Sequence, residues 1–262
     1  MVNIDEVLTV DGCGLHYADS GGDGVPVVFT HGAGADHVLF EPQRRHLAAL
    51  GYRVITWDLR GHGRSRPAGA PFTAERAVAD LCALIGHLEL DRPVLIGQSL
   101  GGNLGQAVVK RRPELARALV VVDSAWNAGP LSRWERALLG ISAPLLAMVP
   151  VPMMADASAV TPAARADARR AFAQVPKREF VQVWRATVEL LEPDPGYRTP
   201  VPLCLIRGER DRTGNIAAAM PRWAAAEGIE EIVIPGAGHI STQDAPDAVN
   251  AAIAAFLGGS LR

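Results

Sequence analysis

The sequence has few cysteines, few lysines and almost no net charge, and each shortage excludes a class of protein. Its three cysteines, Cys13, Cys82 and Cys204, lie far apart and none stands in C-x-x-C spacing, so no zinc or redox motif is present. Scattered thiols in odd number suit a reducing compartment. The net charge is −2, and the 26 basic residues, all but two of them arginine, are scattered along the sequence, which leaves no basic patch for a nucleic-acid partner.

Long hydrophobic runs and a leader-like N-terminus are also missing. The longest apolar stretch, residues 141–154, is interrupted by three prolines and is too short to cross a bilayer. The first ten residues carry Asp5 and Glu6 and contain no apolar core of the kind that a signal peptide needs. We therefore expect a cytoplasmic protein with no membrane partner.

Apolar runs that alternate with helical patterns are what the sequence does contain. Helices are predicted between the successive runs, for example where apolar residues recur at helical spacing after Thr73. Such alternation is typical of an α/β fold, in which a mostly parallel central sheet is covered by helices on both faces. The predicted buried strands are residues 25–30, 52–57, 93–96, 115–122, 202–207 and 230–234.

The alternation stops between residues 124 and 199. This stretch contains no clear strand, and its patterns predict three helices, over residues 131–139, 162–174 and 178–191. We interpret it as a helical cap inserted into a core domain that is formed by residues 1–123 and 200–262.

The segment Gly97-Gln98-Ser99-Leu100-Gly101 is the most informative short motif. It follows a predicted buried strand and precedes a predicted helix over residues 104–112. A G-x-S-x-G sequence in that setting forms a tight turn that lifts the serine hydroxyl above the edge of the sheet. Ser99 is therefore the predicted nucleophile.

A serine nucleophile needs a base, and the base should follow a strand, because the sites of parallel sheets lie at the carboxyl ends of their strands. Of seven histidines, only His31, His62 and His239 fall in glycine-rich turns at predicted strand ends. His239 follows the last strand, and the chain order of serine, acid and histidine favours it as the base.

Two aspartates compete to orient that base. Asp211 follows the strand 202–207, and Asp123 ends the strand 115–122, so both can reach the histidine. We favour Asp211, because it lies on the loop next in sequence to the His239 unit and takes the commoner position. Glu209 is a weaker third choice.

Together these motifs make the chain resemble the α/β-hydrolase superfamily over nearly its whole length. The resemblance is carried by His31-Gly32, residues 58–65, 97–102 and 208–211, and Gly238-His239. It implies Ser99 as nucleophile, Asp211 as acid and His239 as base. It also implies an oxyanion hole from the backbone N–H groups of Ala33 and Leu100, the latter at a helix N-terminus where an anion is favoured. His31 would brace the oxyanion turn, and no metal or cofactor is expected.

The cap is predicted to select the substrate. Its candidate pocket residues are Trp126, Trp134, Met153, Met154 and Trp184, which are apolar or aromatic. An apolar pocket favours an uncharged, small-to-medium ester or lactone as substrate.

The expected activity is hydrolysis of such a substrate through an acyl-enzyme on Ser99. Relatives that are haloalkane dehalogenases or epoxide hydrolases carry aspartate at the elbow, which argues against those activities. A cofactor-free perhydrolase or haloperoxidase, or a C–C bond hydrolase, would use the same residues. A non-catalytic ligand receptor on this fold is the alternative from another class. The sequence leaves the oligomeric state open.

Overall fold

The structure, a computed structural model, describes residues 4–260 and contains an eight-stranded sheet in the order β1-β2-β4-β3-β5-β6-β7-β8. All neighbouring strands from β4 onward in this order are parallel, whereas β1 and β2 pair antiparallel at one edge. The predicted α/β class with a mostly parallel sheet is confirmed. The strands are β1 Glu6–Val10, β2 Cys13–Asp19, β3 Pro26–Thr30, β4 Arg53–Trp57, β5 Val94–Gln98, β6 Ala118–Val122, β7 Leu203–Gly208 and β8 Ile232–Ile234.

Helices cover both faces of the sheet, and four of them lie between β6 and β7. Short 3₁₀ turns at His37–Phe40 and Pro113–Leu115 complete the connections. The helices are α1 Glu41–Ala49, α2 Ala74–His87, α3 Leu100–Arg111, α4 Arg133–Met148, α5 Val151–Ser158, α6 Pro162–Phe172, α7 Lys177–Glu189, α8 Ile216–Glu227, α9 Ser241–Asp244 and α10 Pro246–Ser260.

The alternation of side chains along each strand produces two hydrophobic cores. Val28 and Ile55 point to the face that α2, α3 and α8 cover, and their neighbours Val27 and Val54 point to the face of α1 and α10. Because β3, β4, β5, β6 and β7 have buried side chains on both faces, they show as continuous apolar runs in the sequence. The two cores hold the parallel strands so that their carboxyl ends lie along the same edge of the sheet.

The structure differs from the sequence-based prediction in two places. Strands β1 and β2 were not predicted, because β1 is largely exposed and its sequence lacks a continuous apolar run. In the cap there are four helices instead of three. Helix α4 starts at a capping box formed by Ser132 and Glu135 and continues through Pro144, where a helix usually ends.

Within residues 4–260, no single helix is long and apolar enough to cross a membrane, and only α4 and α5 together, bent by 118°, have the length and composition.

The turn after β4 is fixed by a buried ion pair. Arg60 and Asp80 are both buried, and two N–H groups of the guanidinium donate to the two carboxylate oxygens at 2.6 Å each. A further Arg60 N–H donates to the carbonyl of Ala68 at 3.3 Å. Helix α2 thereby holds the loop over residues 58–65, which borders the site described below.

Removing one partner of this pair should be costly, since it leaves the other charge buried and uncompensated. We expect Asp80→Asn to lower the free energy of unfolding by about 3–5 kcal/mol, measured by urea denaturation. Asp5→Asn, which removes an exposed pair with Arg64, is the control and should change it little. Similar losses in both variants would contradict the assigned role of the pair.

Candidate active site

Ser99 lies in a strained turn between β5 and α3. Its φ angle is +52°, a conformation that is uncommon for residues other than glycine. Close backbone contacts enforce it: a Cβ added at Gly97 would lie 2.2 Å from the carbonyl carbon of Gly101, and one at Gly101 would lie 1.9 Å from the carbonyl oxygen of Thr30. A side chain at either glycine of the motif would therefore clash with the backbone, so both positions require glycine.

The structure brings Ser99, His239 and Asp211 together from three separate loops. The Ser99 hydroxyl and His239 Nε2 are 3.1 Å apart, and His239 Nδ1 lies 3.0 Å from an Asp211 carboxylate oxygen. The second Asp211 oxygen accepts the backbone N–H of Thr213 at 2.8 Å. The histidine thus stands between a hydroxyl and a buried carboxylate.

Asp123, the competing acid, is placed differently. One of its carboxylate oxygens accepts the backbone N–H of Gly208 at 2.6 Å, and the other accepts the hydroxyl and the N–H of Ser241 at 2.5 and 3.2 Å. Gly208 ends β7 before the Asp211 loop, and Ser241 follows His239 by two residues. Asp123 therefore ties the acid loop to the histidine loop instead of contacting the imidazole by hydrogen bond.

The charges around His239 favour its protonated form. Burial disfavours an imidazolium there, but attraction to Asp211, the hydrogen bond with it, and the nearby Asp123 outweigh burial and raise the pKa of His239. Burial also opposes ionisation of Asp211, yet contact with His239 keeps the pKa of Asp211 below its ordinary value. Burial and the neighbouring Asp211 charge raise the pKa of Asp123 to about 7.

The turn after β3 borders the serine closely. A Cβ at Gly32 would lie 2.4 Å from the Gln98 side-chain oxygen and 3.0 Å from Ser99 Cβ, so this turn packs directly on the elbow. Ala33 lies beside Ser99 and His239, and Leu100 is the first residue of α3, where N–H groups lack partners within the helix. Both backbone groups sit at positions that could serve an oxyanion.

His31 fixes this turn through both of its ring nitrogens. Nδ1 lies 2.8 Å from the carbonyl of Gly32, and Nε2 accepts the backbone N–H of Leu59 at 3.0 Å. Burial lowers the pKa of His31, which keeps the ring neutral. These contacts match the bracing role expected from the sequence.

Two cavities meet at Ser99, and the side chain of Trp184 borders both. Cavity A, about 290 Å³, extends under α4 and α7 and is mostly apolar. Cavity B, about 270 Å³, extends along His239 toward α5 and α6. Cavity A is lined by residues including Asn103, Leu138, Leu139, Ser142, Val188 and Ile216, and cavity B by Ala33, Leu146, Met154, Phe172, Phe180 and Arg212.

Of the five predicted pocket residues, the structure places only Trp184 and Met154 on these cavities. Trp126 is stacked on Trp223 with ring centroids 6.1 Å apart and packs against the core, because it lies in the segment between β6 and α4. Trp134 is 81% exposed and Met153 is 60% exposed, since both point outward from the cap. These three residues therefore line neither cavity, and for Trp134 and Met153 the sequence spacing did not distinguish the inner from the outer face of α4 and α5.

Two residues that support the site, Gln98 and Asp244, were not identified from the sequence. The Gln98 amide donates to the carbonyl of His239 at 2.7 Å, which joins the elbow to the histidine loop. Asp244 accepts N–H groups of Val160, Thr161 and Gly238 and so joins the cap to the same loop. Gln98 fills a variable position of the G-x-S-x-G motif and Asp244 belongs to no motif, so the contacts in the folded structure reveal their roles. Within residues 4–260, no cluster of three or more His, Cys, Asp or Glu side chains is placed to hold a metal ion.

Comparison with known proteins identifies the family. Residues 27–252 match the model of the alpha/beta hydrolase family. The chain belongs to this family. Its structure is similar to that of the enol-lactonase from Burkholderia xenovorans, with a TM-score of 0.79, 25% identity, and 97% of this chain and 100% of that one covered.

Curated relatives differ in the activities for which they are named. The chain is 38% identical to a non-heme chloroperoxidase of Streptomyces lividans over 118 residues, or 44% of this chain and 43% of the relative. It is 28% identical to haloalkane dehalogenase 2 of Mycobacterium tuberculosis, with 91% and 90% covered. A diacylglycerol lipase from Danio rerio is 35% identical over 122 residues, which are 45% of this chain and 38% of the lipase. The matches to the chloroperoxidase and to the lipase therefore each span less than half the length of the relative.

The hydrogen bonds of the two aspartates predict unequal effects of substitution. We expect Asp211→Asn to lower kcat by about 10⁴, because the amide cannot stabilise the imidazolium or hold the required tautomer. Asp123→Asn should lower kcat far less, while it lowers the thermal stability because the single oxygen of an amide cannot accept from both Gly208 and Ser241. Ester hydrolysis and thermal melts of both variants test this ranking, and the reverse order in kcat would make Asp123 the acid.

The pH dependence should follow His239, which must be neutral to accept a proton. Because its pKa lies above the ordinary 6.5, we expect kcat/KM to be full at higher pH and to fall as pH drops through a midpoint above 6.5. Asp211→Asn removes a charge that raises this pKa and should move the midpoint of the residual activity to lower pH. A wild-type midpoint at or below 6.5 would contradict this account.

Proposed function

We propose that the protein is a serine hydrolase of uncharged carboxylic esters or lactones. Ser99 Oγ attacks the carbonyl carbon while His239 Nε2 takes the hydroxyl proton, and Asp211 stabilises the imidazolium. The backbone N–H groups of Ala33 and Leu100 would hold the oxyanion. Collapse expels the alcohol, which takes the proton from His239. Water, activated by His239, then releases the acid from Ser99.

One observation carries this proposal: His239 is within hydrogen-bond distance of both Asp211 and Ser99, and Ser99 lies where the two cavities meet. A hydroxyl needs an adjacent base to act as a nucleophile at neutral pH. The base in turn has a buried carboxylate on its other nitrogen. Structural similarity to an enol-lactonase adds support from the family.

Dehalogenation, the activity named for one relative, fits this site poorly. Displacement of a halide by an aspartate gives an alkyl ester, which water can hydrolyse to free the enzyme. Displacement by Ser99 would give an alkyl ether, and an activated water has no carbonyl carbon to attack in an ether. The serine at the elbow therefore restricts the chemistry to acyl groups.

The two cavities suggest how the halves of a substrate are held. His239 must give its proton to the leaving oxygen, and His239 lines cavity B, so we assign the leaving group to cavity B. Cavity A then receives the acyl group against Leu139, Val188 and Ile216. A lactone, in which the two halves are one ring, would lie across Ser99 between them.

The charge at the edge of cavity A favours an uncharged acyl group. Glu135 lines it, and hydrogen bonds from Asn215 and from Ser132, which caps α4, lower the pKa of Glu135 to about 2. It is therefore a carboxylate at neutral pH. In the cap, Arg169 and Arg170 are paired with Asp156 and Asp36, so they are not directed at a phosphorylated substrate.

A series of p-nitrophenyl esters tests the substrate class. Each added acyl methylene should raise kcat/KM up to about fourfold, the equivalent of about 0.8 kcal/mol, until cavity A is full. An ester with a terminal carboxylate on the acyl chain should react more slowly than its uncharged counterpart. Ser99→Ala, which should abolish the activity while the protein still folds, controls for background hydrolysis.

A matched pair of variants tests the assignment of the cavities. Val188→Phe fills part of cavity A and should shorten the acyl chain at which kcat/KM is highest. Leu146→Phe, which fills part of cavity B, should leave that optimum unchanged and reduce the tolerance for bulky alcohols. A flat response to acyl length in the wild type, or faster reaction of the charged ester, would overturn the proposed substrate class.

Perhydrolysis is a second candidate, favoured by the similarity to a chloroperoxidase. In this reaction hydrogen peroxide replaces water in attack on the acyl-Ser99 carbonyl, and the products are a peracid and free serine. Addition of peroxide to the ester assay separates the two, since a perhydrolase forms peracid in preference to acid. If Ser99 is labelled by active esters but nothing turns over, the protein is better explained as a ligand receptor.

A further inference from the structure

The outer side of the cap helix α4 carries a row of large, exposed apolar side chains, one of which, Leu138, also borders cavity A. The row consists of Trp134, Leu138, Ile141, Leu145 and Met148. Each is more than half exposed, and Trp134 and Met148 are 81% exposed. Their spacing of four, three, four and three residues places them along one line of the helix.

A second row, of small residues, runs beside the first. Ala137, Gly140, Pro144 and Ala147 are also exposed and lie about 100° around the helix axis from the large row. A Cβ added at Gly140 would meet nothing within 4 Å. The outer surface of α4 is therefore a ridge next to a groove, both of the same length.

Such a surface is complementary to itself. We propose that α4 forms the interface of a homodimer, in which the ridge of each copy packs into the small-residue groove of the other about a twofold axis. A twofold interface uses the same patch on both subunits, as this pairing of ridge and groove would. Small residues in the groove allow the two helices to approach closely.

The positions of the nearby charges favour an antiparallel pairing. Residues 137–155 contain no charged side chain, and the exposed Arg133 and Arg136 lie at the N-terminal end of α4. In a parallel pair four arginines would meet at one end. In an antiparallel pair the two sets are separated by roughly 20 Å, the length of the ridge at 1.5 Å per residue, and the aliphatic part of Arg133 can cover the partner's Met148.

A lipid surface is the main competing occupant of this face, and the structure favours it less. Peripheral membrane helices hold a row of basic residues beside their apolar face, to contact anionic headgroups. Within the described chain, α4 offers only Arg133 and Arg136, both at one end. The groove of small residues has no role against lipid, whereas it accounts for the contact with a second helix.

The mass of the protein in solution tests the proposal first. We expect light scattering after gel filtration to give twice the chain mass of 27.8 kDa. Leu145→Glu should weaken the association about 100-fold or more, because a carboxylate would be buried without a partner. Leu145 lines neither cavity, so ester hydrolysis should persist. Leu50→Glu is the matched control, since Leu50 is equally exposed, 54% against 52%, but lies outside the face.

Cysteine cross-linking tests the antiparallel geometry, in a Cys82→Ser background that removes the partly exposed thiol. Ile141, at the middle of the row, would face itself across the axis, so Ile141→Cys should form a disulfide-linked dimer. Trp134→Cys alone should not, but a mixture of Trp134→Cys and Met148→Cys proteins should. A monomeric wild type would overturn the proposal. So would a dimer unaffected by Leu145→Glu, or sedimentation with phosphatidylglycerol vesicles that is lost in Leu145→Glu without any dimer.

Discussion

The close approach of the backbone around Ser99 is the constraint on which the site depends. β5 ends in a turn whose serine adopts a φ of +52°, and the neighbouring positions leave no room for a Cβ. A conformation of this kind costs about 1–3 kcal/mol and persists only where the surrounding structure over-determines it. Here the carboxyl ends of the neighbouring strands β3 and β6 hold the serine in this conformation. The loops that carry His239 and Asp211 then meet the serine because β7 and β8 continue the same parallel sheet.

Buried carboxylates connect these loops, and each has a separate task. Asp211 holds the imidazole of His239, and Asp123 holds the backbones of both loops through Gly208 and Ser241. Two such groups close together cannot both ionise freely, and the site resolves this by giving Asp211 the low pKa and Asp123 the high one. The charge next to His239 is thereby concentrated on the residue that contacts it. Two further carboxylates connect the cap to the core domain: Asp36 binds Arg170 of α6, and Asp244 binds the backbone at the start of α6.

The sequence was informative where local chemistry decides the structure. Continuous apolar runs predicted the buried strands, and the glycines around Ser99 predicted the turn, because both patterns reflect contacts within a few residues. The positions of His239 and Asp211 followed from the order of the strands. It was less informative where packing decides: β1 is too exposed to show an apolar run, and Pro144 lies within a helix that was expected to end before it. Trp134 and Trp184 occur in similar apolar patterns, yet one is exposed and the other lines both cavities.

The most direct test of the central claim is to trap the intermediate on Ser99. Rapid mixing with a p-nitrophenyl ester, acid quenching and mass spectrometry of the peptides measure where an acyl group becomes attached. The account predicts an initial burst of about one nitrophenol per chain, with the acyl group on the peptide that contains Ser99. It also predicts that the adduct is absent in Ser99→Ala and forms far more slowly in His239→Ala. An acyl group on another residue, or turnover by wild-type protein that survives Ser99→Ala, would contradict it.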